Sequence, residues 1–166
     1  YASTRTIKGL VVIPACGNPQ ATDQNGRALC QKSILNLYAQ TADANSKVLI
    51  SNNDAGTGAA NTTNQLTLKN NSAITFKATC VAGVTGAGNT KVWELRGALK
   101  RGANAASTAL VGSVIKDVIA YDSGAAAWDL EITADTTNGA IKVEVTGQAA
   151  TTIRWVCTIE ATEMSF

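Results

Sequence analysis

The chain has 166 residues and a formal net charge of +2, with charged side chains at only 16% and hydrophobic ones at 45%. That composition excludes a disordered chain, and its weak charge excludes a nucleic-acid or anionic-membrane partner held by a basic field. Histidine is absent, which removes the Ser-His-Asp triad, the Cys-His pair and His-ligated zinc, and leaves carboxylates, Lys and Cys as the only sources of catalysis.

In chain order the segments read as strands and turns. Tyr1 is not an initiator methionine, so the chain reads as a processed or recombinant piece of something larger. The run Gly9 to Ile13 is too short to span a bilayer and stops at Pro14. Residues 14 to 27 are a loop, broken by Gly17-Asn18-Pro19 and Asn25-Gly26. Ser33 to Ala39 suits a strand, with a short helix over Gly26 to Ala39 as the alternative. Lys47 to Ser51 is a short strand, and 52 to 65 a polar loop with one carboxylate, Asp54, too few for a tight calcium site.

From Leu66 the alternation is regular. Leu66 and Leu68 alternate with polar residues, as do Ile74, Phe76, Ala78 and Cys80. Strands follow at Lys91 to Lys100, Ala109 to Val111 and Val114 to Tyr121. Trp128, Leu130 and Ile132 lead into the Asp135 to Gly139 hairpin connection; Ile141, Val143 and Val145 lie beyond it, and Ile153, Trp155, Cys157 and Ile159 close the series. About ten half-buried antiparallel strands predict an all-β, jelly-roll-like β-sandwich, with a barrel as the alternative.

The four cysteines contain no CxxC pair, so neither a zinc ribbon nor a thioredoxin-type site is supported. Cys80 and Cys157 fall on apolar alternation faces and read as two buried small hydrophobes. Cys16 and Cys30 flank the polar loop and are the candidate disulfide, provided the protein matures outside a reducing cytosol. Trp93, Trp128 and Trp155 share faces with Leu or Ile and read as core. Tyr38 and Tyr121, near strand ends, are the candidate glycan contacts. Asp129 and Glu131 project to one face with Cα atoms roughly 6.5–7 Å apart, a spacing compatible with a glycosidase pair. They stand opposite Trp128 and Leu130, however, so a solvated strand face is expected. Lys100-Arg101 lacks the spacing of a phosphate-binding loop. No cofactor or metal site emerges.

Several longer phrases carry a resemblance. They are Asn70 to Phe76, Trp93 to Gly102 leading to Ser107 to Gly112, Trp128 through the Thr133 to Ala140 turn, and Thr152 to Val156 running into Thr158 to Glu163. In this order they resemble a domain at the C-terminal end of tailed-bacteriophage tail fibres and tailspikes, over about residues 28 to 166. Residues 1 to 27 match less well and are set apart as an N-terminal strand and loop segment. The resemblance implies a non-enzymatic, homotrimeric module of the virion tail, assembled in the host cytoplasm, that attaches to bacterial surface polysaccharide or lipopolysaccharide, without membrane insertion. It supplies no catalytic residue. A carbohydrate-binding module of a secreted bacterial protein is the alternative.

Overall fold

A computed structural model describes residues 3–14, 30–52 and 58–166. Ten strands account for most of them: β1 (Val11–Pro14), β2 (Cys30–Thr41), β3 (Ser46–Val48), β4 (Ser72–Val84), β5 (Thr90–Arg101), β6 (Ala109–Leu110), β7 (Ile115–Tyr121), β8 (Asp129–Asp135), β9 (Ala140–Thr146) and β10 (Ile153–Ser165). Two single-turn 3-10 segments, Ala105–Ser107 and Ser123–Ala125, are the helical elements among the described residues.

The strands form two antiparallel sheets. The larger has seven strands in the order β1-β2-β10-β4-β5, with β6 and β7 both on the far side of β5; the smaller runs β3-β9-β8. Neither closes on itself among the described residues, so the fold is the expected sandwich and not the barrel. The helix alternative at Gly26 to Ala39 gives way to β2, where Gln31, Ser33, Leu35, Leu37, Ala39 and Thr41 are buried in strict alternation. A helix would scatter those positions around its circumference, whereas a strand sends all of them to one face. Leu66 and Leu68 do not form a named strand. Residues from Asn64 to Leu68 are all buried, and the segment meets the start of β9 by a bridge between Thr67 and Ala140.

The core lies between the sheets. Register places Leu37, Cys157, Cys80 and Trp93 in one inward row, and Ala39, Trp155, Ala82 and Lys91 in the next. The β8–β9 pair contributes Leu130, Ile132, Val143 and Val145 from the other side. All three tryptophans are at most 1% exposed. Trp155 stacks on Trp93 at 5.7 Å between ring centroids and meets Trp128 at 6.0 Å. Trp155 Nε1 donates to Thr41 Oγ1 and Trp128 Nε1 to Gln148 Oε1, so these rings keep a polar partner while buried.

The cysteine reading needs correction. Cys80 and Cys157 are buried, as their alternation requires, but they are joined as a disulfide between directly paired positions of β4 and β10, with Cα atoms 4.1 Å apart. Two cysteines on the same face of adjacent strands, in matched register, are close enough to bond. The other candidate pair, Cys16 with Cys30, falls outside the described residues at Cys16.

The chain before β1 is bound into the sandwich. Ile7 and Leu10 are buried. Arg5 donates from Nη1 and Nη2 to both oxygens of Glu163, at 2.6 and 3.1 Å. The Glu163 side chain is 1% exposed and stands on the inward face of β10. Gln31 links to the backbone of Ser3 as both acceptor and donor, and to the Ser33 hydroxyl. This bidentate ion pair and amide network satisfies polar groups that would otherwise be stranded in the core.

Candidate functional site

Because β4, β5, β10 and β2 alternate, each sends every second residue away from the core. Those residues form cross-strand rows on the outer face of the large sheet. One row is apolar: Tyr38, Val156, Val81, Val92 and Ala120. Val156 and Val81 are 47% and 45% exposed. The adjacent row is polar: Asn36, Thr158, Thr79, Glu94 and Asp117. Thr158 donates to Asn36 Oδ1 at 2.7 Å.

A ladder of exposed ion pairs crosses the same face, Lys32 with Glu160, Lys77 with Glu94 and Arg96 with Asp117. Pairs this exposed add little stability, but they fix the positions of long side chains. Between them runs a shallow groove of about 370 Å³, lined by Lys32, Thr75, Lys77, Arg96, Glu160 and Thr162. The result is a face on which an oily strip borders a strip of hydroxyl and amide groups.

Tyr38 belongs to this face and is half-buried at the end of the apolar row. Tyr121 does not. It pairs with Lys91, whose row faces inward, and lies at the sheet edge, 58% exposed. The two tyrosines therefore occupy opposite faces and opposite sides of the sheet. Tyr121 instead contributes to a cation site: Lys91 Nζ sits 5.3 Å from its ring centroid and 5.2 Å from that of Trp93. The same Nζ donates to the carbonyls of Ala126 and Trp128. Burial pushes the Lys91 amine down from its usual range.

The outer face of the small sheet holds the carboxylates. Asp129, Glu131 and Glu144 line a groove of about 280 Å³ with Ser46 and Thr146, and Glu131 stands directly across from Glu144. Burial works to raise the Asp129 carboxyl. The hydrogen bond from Lys116 at 2.8 Å, the Leu130 backbone and the nearby lysine charges outweigh it, so the group titrates below the ordinary range. Glu144 is also held low, chiefly by the hydrogen bond from Lys142. Asp129 and Glu144 are thus ionised at neutral pH, the reverse of what a proton-donating carboxyl requires.

Lys100-Arg101 has a structural role: Arg101 Nη1 donates to the Leu68 carbonyl at 2.6 Å, tying the buried 64–68 segment to β5. Of the loop considered for calcium, residues 53–57, Asp54 included, lie outside the described residues. The tyrosine–lysine cage and the Arg5–Glu163 pair were not foreseen from sequence. For the second a signal existed, since the alternation of β10 carries Glu163 onto the apolar face, where a carboxylate needs a cation.

Fold and surface together define an all-β sandwich with one broad amphipathic face. No family model matches the chain, and no curated protein matches it. Among solved structures it is similar to the crystal structure of the tailspike protein gp49 from Acinetobacter baumannii bacteriophage Fri1, a capsular polysaccharide depolymerase. The identity is 13% and the TM-score 0.43, over 93% of this chain and 19% of that one. The chain thus spans about a fifth of the length of that protein. Among the described residues no helix is long and apolar enough to cross a membrane.

Proposed function

We propose that the chain is a non-enzymatic structural and attachment module of a phage tail fibre or tailspike. It works as a homotrimer in the virion tail after assembly in the host cytoplasm, and it meets bacterial surface polysaccharide or lipopolysaccharide, not nucleic acid. Residues 28 to 166 form its tail-fibre-type domain, preceded by the N-terminal strand and loop segment.

The observation that carries the reading is the pair of adjacent rows on the outer face. Tyr38 and the three valines offer an apolar strip to the C–H face of a sugar ring, while Asn36, Thr158 and Thr79 offer partners for its hydroxyls. The sequence phrases that resemble the tail-fibre domain fall on β4, β5, β6, the β8–β9 hairpin and β10, and of these β4, β5 and β10 carry the two rows. Asp129 and Glu144, both held below the ordinary carboxylate range, are not poised as proton donors.

The test is a titration with capsular oligosaccharides, followed by protein NMR shifts. Shifts confined to Asn36, Tyr38, Thr79 and Val156, lost in Tyr38→Ala, are expected. Release of reducing ends from the polysaccharide would overturn the non-enzymatic assignment. One observation favours the carbohydrate-binding module of a secreted bacterial protein instead: the Cys80–Cys157 disulfide suits a compartment more oxidising than a bacterial cytoplasm. That module would be monomeric, so light scattering separates the two readings.

A further inference from the structure

The two edges of the large sheet match each other. Five antiparallel pairings separate β1 from β7, so the two strands run in opposite directions. Laying β7 of one copy beside β1 of another therefore continues the antiparallel order without a break. Among the described residues no strand pairs with the far side of either.

The side chains match as well. The row that begins at Val11 passes through Ile34, Glu160, Lys77 and Arg96 and ends at Ile115. The row that begins at Ile13 passes through Lys32, Thr162, Thr75 and Ala98, and Val111 bonds to Ala98 at its end. Each row thus terminates at both edges in an aliphatic residue. All four are half exposed: Val11 56%, Ile13 50%, Val111 51% and Ile115 56%. Exposed aliphatic edges are what soluble sheets ordinarily avoid.

We propose that copies of this chain join edge to edge, β1 of one against β6 and β7 of the next, with Val11 meeting Ile115 and Ile13 meeting Val111. The contact is head-to-tail, because two different edges meet, and with a turn of about 120° per copy it closes into a ring of three instead of an open array. This rests on the homotrimer of the proposed function and names the surface that forms it.

Two double variants test it, Val11→Lys with Ile13→Lys and Val111→Lys with Ile115→Lys, each checked for folding by circular dichroism. By light scattering the unaltered chain should have three times the 17.1 kDa mass of one copy, and each variant alone should fall to one. An equimolar mixture of the two should yield a species of twice that mass, since each retains the edge the other lacks. A variant that stays trimeric, or a mixture that stays monomeric, overturns the edge contact while leaving the homotrimer standing. An unaltered chain that is monomeric sinks both. Should a variant not fold, amide exchange on the unaltered chain decides: residues 11–13 and 115–121 should lose protection on dilution, and unchanged protection refutes the contact.

Discussion

Replacing Cys80 and Cys157 together by Ala removes the one covalent link between β4 and β10. The two residues are 77 apart in sequence, so the bond closes a long loop in the unfolded chain. The loop-entropy relation gives about 4.5 kcal/mol for a loop of that size. Unfolding entropy scales at roughly 2.1 cal/mol/K per residue, or about 0.35 kcal/mol/K for this chain, so the melting temperature should fall by about 13 °C. Scanning calorimetry of both proteins under non-reducing conditions measures the shift, and intact mass verifies that the parent protein lacks two hydrogens relative to its reduced form. A melting temperature within about 3 °C of the parent would refute the assigned stabilisation. It would mean that residual structure already restricts the unfolded chain, or that the bond does not form.

Glu163→Gln leaves the Arg5 guanidinium, with its side chain only 13% exposed, without its anion. The cost should be about 3 kcal/mol, at the low end for a broken buried pair because Arg5 retains some access to water, and urea unfolding reads it. Gly97→Ala would place a methyl carbon 2.9 Å from the Phe76 ring. Phe76 is buried and cannot swing away, so about 1–3 kcal/mol should be lost and partly restored by adding Phe76→Leu. Stability should also fall in acid. Burial tends to raise Asp135, but hydrogen bonds from Asn138, Gln65 and Thr137 hold it low; Asp129 and Glu144 are likewise low. The unfolded chain, with ordinary values of 3.8 for the aspartates and 4.5 for the glutamate, therefore takes up protons first. Their contribution is complete above about pH 5 and fades as pH drops through the folded values. Urea midpoints between about pH 6 and 2.5 should trace that loss, and Asp135→Asn should flatten it.

Much of the fold was legible because its strands are long and half-buried. Alternation in β5, in the run entering β8 and in β10 placed Trp93, Trp128 and Trp155 in the core, and the Asp135 to Gly139 turn announced its hairpin, with Asp135 accepting from the backbone amides of Thr137 and Asn138. Alternation gives the face of a residue but not its cross-strand partner. The Cys80–Cys157 bond depends on the register of β4 against β10, and the separation of Tyr38 from Tyr121 depends on strand order across the whole sheet. Leu66 and Leu68 misled for a related reason: a segment buried on every side carries the period of a strand without lying in a ladder. The outer-face rows became visible only once five strands were in register.

The position of β10 sets the order of assembly. The last strand in sequence is wedged between β2 and β4, hydrogen-bonded to both along nearly its whole length. Strands made earlier must wait for it, with β1 and β2 on one side and β4 to β7 on the other of a gap that no other described strand fills. During synthesis the nascent polypeptide therefore stays open until residues beyond about 160 leave the ribosome. Deleting β10 alone would leave the two parts of the large sheet with no strand between them, not a slightly shortened sandwich.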